Sequence, residues 1–280
     1  MTPRTFLPLL STVFLFGCSD GGDGEARFET WGEEYIEQEI PVDEFEDGWS
    51  VTYDKFLVVI GDVTLAHADG DQAALADGPR VYDLATAGPH EVGALGALAS
   101  GNWTAVGYAT PAATGATGAH ASVGEADLQM MRDQGYSVFA SGSATDGTTT
   151  KTFAWGFAEP TAYAGCVDVS GGQDVDGIVV PDGGVASVQL TIHGDHLFYD
   201  DLQSSEVGLR FSHMAAADAD DDGEVTLAEL DMVELSSIPT SEGTYGVAAN
   251  DVNTLGGFVR ASTRTLGHFN GEGHCDVSGE

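Results

Sequence analysis

"SVTYDKFLVVIGDVTLA", residues 50–66, holds nine large apolar or aromatic side chains in seventeen positions, most of them β-branched or aromatic. Such residues fit a pleated, half-buried surface, so the stretch reads as a strand, with a bulge or kink expected at Gly61. The same texture recurs in "RVYDL" (80–84), "NWTAVGYAT" (102–110), "YSVFASGSAT" (136–145), "TTTKTFAWGF" (148–157) and "ASVQLTIHG" (186–194). Gly- and Asp-rich connectors separate these segments, and one short helix, "EADLQMMRDQ" (125–134), interrupts them. Many short strands with turn residues between them favour a sandwich or barrel over alternating β-α units. The fold class expected is mainly β: a β-sandwich-like body over residues 50–200, followed by a small helical unit.

That unit is expected over residues 201–280. Val207, Phe211, Met214 and Ala215 share one helix face, and Leu227, Leu230 and Val233 continue the spacing up to Pro239. A last helix is expected from Asp251 to Leu266, capped by Asn250 or Asp251, with Val252, Leu255, Phe258, Val259 and Leu266 inward. No internal repeat is evident.

Nine Lys and Arg stand against 45 Asp and Glu, a formal charge of −36. A surface of that sign repels nucleic acid and anionic headgroups, so neither is a credible partner. It suits cations, a salty medium or simple solubility.

Residues 1–17 read as a signal peptide. Arg4 precedes an apolar run, Phe6–Phe16, that is too short to span a bilayer but long enough for a signal core. Leu15-Phe16-Gly17-Cys18 resembles the lipobox of bacterial lipoproteins. The resemblance implies lipidation of Cys18, cleavage before it and membrane attachment through acyl chains. With Ser19 next, it also implies an outer-membrane lipoprotein facing the periplasm or the cell surface. A plain secretory signal is the alternative. Residues 18–49 then form a lipidated tether, "SDGGDGEAR" (19–27), and an acidic arm, "TWGEEYIEQEIPVDEFEDGW" (30–49), whose aromatics suggest packing onto the body.

Two further cysteines, Cys166 and Cys275, remain. In an oxidising compartment two such residues most often pair, which makes a disulfide the expectation and thiolate metal ligation by Cys275 the alternative.

"DADDDGEVTLAE", residues 218–229, has six acids in twelve positions. Asp218, Asp220 and Asp222 alternate ahead of Gly223; Glu224 and Thr226 follow, and Glu229 closes the stretch. Calcium takes six to eight oxygens, and alternate side chains of a sharply turned loop deliver them. The stretch resembles the EF-hand calcium loop position by position. The likeness covers about residues 207–233 and implies Ca2+ held by the side chains of Asp218, Asp220, Asp222, Thr226 and Glu229 and the carbonyl of Glu224, in an α-helical EF-hand unit. It implies no enzymatic activity. One loop without a partner points to a structural ion, not a sensor. Thr226 and Glu229 would also serve as a helix-capping box. "DVDGIV" (174–179) has the middle of such a loop, but Gly172 and Gly183 stand where the outer ligands should be.

A second constellation lies in "TIHGDHLFYDD" and "LGHFNGEGHCDV": His193, His196, His268 and His274, with Asp195 and Glu272 beside them. On a strand His193 and His196 point to opposite faces, but a bulge at Gly194 brings them together. Such a set suits Zn2+ or Cu2+, and unrelated surface histidines are the alternative. There is no H-E-x-x-H, no G-x-S-x-G, no phosphate-cradling Gly loop ending in Lys and no nucleophilic Cys, so an enzyme is not expected. A metal-dependent enzyme using the C-terminal histidines is the alternative. "WGEEYIEQEIP" (31–41), "DGWSVTYDKFLV" (47–58) and "TIHGDHLFYDDL" (191–202) look similar to uncharacterised bacterial lipoproteins with such a loop. That resemblance implies a shared architecture and supplies neither an activity nor a protein partner.

Overall fold

The computed structural model describes residues 22–169, 172–204, 206–247 and 251–278. Cys18, the signal segment and Asn250 lie outside the described residues.

Strand β1 (Gly24–Trp31) and helix α1 (Glu33–Glu37) precede β2 (Ser50–Ala66), the strand read above. β3 (Gln72–Ala74), β4 (Arg80–Asp83), β5 (His90–Leu98), β6 (Gly101–Trp103), β7 (Ala105–Thr110) and β8 (Gly118–Ala119) follow. Helix α2 (Glu125–Gln134) leads to β9 (Val138–Thr145), β10 (Thr150–Phe157), β11 (Thr161–Asp168), β12 (Val175–Asp176), β13 (Ile178–Val180) and β14 (Val185–Ile192). The C-terminal part holds α3 (Ser212–Ala215), β15 (Glu224–Val225), α4 (Leu227–Leu230), α5 (Leu255–Ser262), β16 (Gly267–Phe269) and β17 (His274–Ser278). The protein is mainly β.

β2 organises the larger sheet, whose order is β12-β11-β7-β2-β9-β10-β15. Strands β3 and β4 also pair with β2, so its neighbours change along its length and the sheet curls. Register shifts at Tyr53/Lys55 and Gly61/Thr64 mark the bends. Gly61 is required at the second, since a Cβ there would lie 2.8 Å from the Pro79 ring. The unbroken run Phe56–Ile60 has a clear cause. Phe56, Val58 and Ile60 enter the main core, while Leu57 and Val59 meet Leu128 and Met131 of α2 on the opposite face. A strand covered on both sides needs no polar alternation.

The smaller sheet runs β16-β14-β1-β5, with β1 and β14 parallel. Phe28 of β1 and Leu190 of β14 share one core with Ile60, Tyr108 and Trp155 of the larger sheet.

Three expectations change here. The stretch read as a tether is in part a strand: β1 begins at Gly24, and Ala26, Phe28 and Thr30 are fully buried. The segments 18–49, 50–200 and 201–280 interleave, because β1 pairs with β5 and β14, β16 with β14, and β17 with β11. The C-terminal helices are short. No helix forms at Val207, because Leu209 bridges to Phe45 and Tyr199, and Asp47 Oδ2 accepts from the backbone N–H groups of Phe211 and Ser212 at 2.9 and 2.7 Å. The last helix begins at Leu255, capped by Thr254, whose Oγ1 accepts from Gly257 N at 3.1 Å; Glu234 pairs with Thr254 just before it.

Cys166 and Cys275 form a disulfide across 109 positions, beside the β11–β17 pairing. Closing a loop of that length contributes up to about 4 to 5 kcal/mol on the chain-entropy model. With its sulfur so engaged, Cys275 is not a thiolate ligand.

Candidate metal centres

The loop 218–229 is tied to the β body. β15 pairs in parallel with β10, Thr152 N donates to Gly223 O at 2.9 Å, and Trp155 Nε1 donates to Val225 O at 2.8 Å. The sheet edge holds the turn that Gly223 makes at φ 90°.

One carboxylate oxygen from each of Asp218, Asp220 and Glu229 lies within 4.8 Å of the others. Asp218 is the innermost, its carboxylate having no exposed surface. Its Oδ2 accepts from Gly223 N at 2.9 Å and pairs with Lys151 Nζ, which holds the acid below the usual carboxylate range. Its Oδ1 is buried without any hydrogen-bond partner. Glu229 also sits below its ordinary range, because the backbone of Thr226 and Ala219 donates to it, each at 2.9 Å. Thr226 and Glu229 complete a reciprocal capping box at the start of α4. Asp222 lies outside the group of three, its Oδ1 accepting from Glu224 N at 2.8 Å. The donor set is all oxygen, and one buried oxygen lacks a partner. These residues fit a hard cation such as Ca2+.

The second centre is built where β14 ends. His193 follows Ile192, and Gly194–Phe198 forms one 3₁₀ turn in place of the bulge expected at Gly194. His193 is the extended residue just before that turn and His196 lies within it, and their ring centroids come within 5.4 Å of each other. Gly194 is obligatory, because a Cβ would stand 2.6 Å from Ile36 Cγ1, and its carbonyl accepts from Tyr53 Oη at 2.7 Å. His268 arrives on β16, opposite Thr191 of β14.

A nitrogen from each of His193, His196 and His268 lies within 4.8 Å of the others. The rings of His193 and His268 stack at 4.0 Å, 8° from parallel, and His196 stands nearly perpendicular to both. Burial lowers the pKa of His193 and of His268 to about 4, and that of His196 well below the ordinary value, so all three are neutral near pH 7. His193 Nε2 and His268 Nδ1 are buried without hydrogen-bond partners.

His274 does not join them. It is exposed on β17, opposite Val167. Sequence reading missed Glu33, whose Oε2 lies 3.6 Å from His193 Nε2; Glu33, His193 and Glu272 form a further group of the same kind. Glu33 stands at φ 55°, a left-handed backbone unusual for its type, which no sequence pattern signals. Asp195 belongs to neither group; burial raises its carboxyl pKa to about 7.

Comparison with family profiles, curated proteins and solved structures found no match to this chain. No helix among the described residues is long and apolar enough to cross a membrane.

Proposed function

We propose that this chain is a calcium-binding, extracytoplasmic lipoprotein in which the ion is structural. Two observations carry the reading: a carboxylate oxygen of Asp218 is gathered with oxygens of Asp220 and Glu229, and the Oδ1 of that same carboxylate is buried and unpartnered. Calcium would satisfy that oxygen and offset the repulsion among carboxylates that otherwise push the loop apart. Asp222, the Glu224 carbonyl and Thr226 complete the set that the EF-hand likeness assigns. Because β15 is a strand of the large sheet, an ion at this loop would brace the sheet edge, and the body would take the place of a second loop. Affinity near the extracellular range, about 10⁻⁴ to 10⁻³ M, is expected.

Thermal melts test the structural role. Chelator should lower the melting temperature and excess Ca2+ restore it, with Asp218→Asn insensitive to both; a wild-type curve unmoved by either addition contradicts the reading. The lipobox likeness further supports attachment to the outer membrane through lipid on Cys18, with no protein partner assigned. Cells fed a labelled fatty acid should label the wild type and not Cys18→Ser, and an unlabelled wild type would remove the anchor from the account.

A further inference from the structure

We infer that His193, His196 and His268 hold a zinc or copper ion, with Glu33 as the fourth ligand. The inference is independent of the calcium reading, since the two centres share no residue. Three neutral imidazoles are poor ligands for calcium and good ones for the later first-row metals.

Hydrogen bonding around His196 fixes its tautomer. Thr265 Oγ1 donates to Ser262 O at 2.9 Å, so towards His196 Nδ1, also at 2.9 Å, it is the acceptor. His196 therefore carries its proton on Nδ1 and offers the Nε2 lone pair. At the neighbouring rings, His193 Nε2 and His268 Nδ1 have no protein partner within hydrogen-bond distance. Unpaired polar atoms at such depth are uncommon, and two in one cluster point to a missing ligand.

Parallel imidazoles cannot aim both lone pairs at one ion. Binding therefore turns the ring of His193 or His268 and draws the nitrogens to roughly 3.4 Å apart, the spacing that metal–nitrogen bonds of about 2.0–2.1 Å impose in a tetrahedral site. No hydrogen bond at the two orphan nitrogens opposes that turn, which is resisted only by the backbone hydrogen bonds of the two rings at Gly271 and Gly273. Glu33 Oε2 lies 3.6 Å from His193 Nε2 but does not group with His196 or His268, so its side chain must swing inward to supply the carboxylate. Because Glu33 lies in α1 and His268 in β16, the ion would clamp the N-terminal arm to the C-terminal strand.

The test uses mature full-length protein, stripped by chelator and returned to calcium-containing buffer, titrated with Zn2+ and with Cu2+. One equivalent should bind, and Cu2+-loaded wild type should show electron paramagnetic couplings to three nitrogens. His193→Gln or His268→Gln should weaken binding on the order of a hundredfold. Thr265→Val, acting through His196, should weaken it about tenfold with stoichiometry and melting temperature retained. His274→Ala and Asp218→Asn should change nothing. Overturning results are the absence of a saturable equivalent, coupling to a single nitrogen, or a loss in His274→Ala as large as in His193→Gln. The copper spectrum is read on the wild type, so a variant that fails to fold leaves the inference testable.

Discussion

Lys151 is the residue on which the loop's behaviour without an ion turns. Its ammonium pairs with Asp218 Oδ2, and it is one of only two lysines in the chain. The pair gives the buried carboxylate a cation of its own, and on the proposed reading it would repel an arriving calcium ion. Lys151→Met is therefore expected to bind Ca2+ about threefold to tenfold more tightly, by removal of a nearby like charge, while its chelator-treated form melts lower than wild type. Calorimetry with paired melts checks both halves; weaker binding together with an unchanged metal-free melt would contradict this role. At this scale the gathering of Asp218, Asp220 and Glu229 was legible because their spacing is local. Lys151 and Glu33 were not, because each reaches its partner through tertiary folding: nothing in the neighbourhood of residue 33 announces His193.

Elements were legible where one surface dominates the pattern. β2 and α2 are plain in the sequence, and α2 ends at Gly135 in the left-handed conformation a helix C-terminus favours. β1 was hidden. Its alternation of Ala26, Phe28 and Thr30 inward against Glu25, Arg27 and Glu29 is regular, yet it follows a Gly- and Asp-rich run whose composition reads as linker. Helical spacing from Val207 misled for the converse reason, since Asp47, a residue of the arm, fixes where that helix starts. Asp83, at the end of β4, gives this scale its own prediction. Burial raises its pKa above the ordinary value, against the opposing effect of hydrogen bonds from Phe56 N and Ala85 N, each at 3.2 Å. Ionised Asp83 thus costs the folded state, and the cost is absent below the unfolded pKa and complete above the folded one. Asn keeps the acceptor oxygen without the charge. Asp83→Asn should gain in melting temperature relative to wild type as the pH rises from about 4 through the raised folded-state pKa. A constant or shrinking difference would contradict the assignment.

At the scale of the whole molecule, two devices tie the chain's end to its beginning and middle. The Cys166–Cys275 bridge fastens β17 to β11, and β16 carries His268 to the edge of the sheet that β1 runs through. Both candidate centres lie where the C-terminal region meets the β body: the acidic loop on β10, the histidines at the end of β14. Composition announced a β protein and a pair of cysteines, whereas the interleaving of arm, body and C-terminal strands is a matter of which edges pair, and composition carries no record of that. The formal charge of −36 gives the molecule a standing reason to take up cations, and the loop at residue 218 is the place where depth and an unsatisfied oxygen concentrate that need. Isothermal titration of Ca2+ into chelator-treated wild type and Asp218→Asn addresses this most directly. The account predicts one saturable site in the wild type, with a dissociation constant of about 10⁻⁴ to 10⁻³ M, and none in the variant. No uptake by the folded wild type, or equal uptake by both proteins, would contradict it.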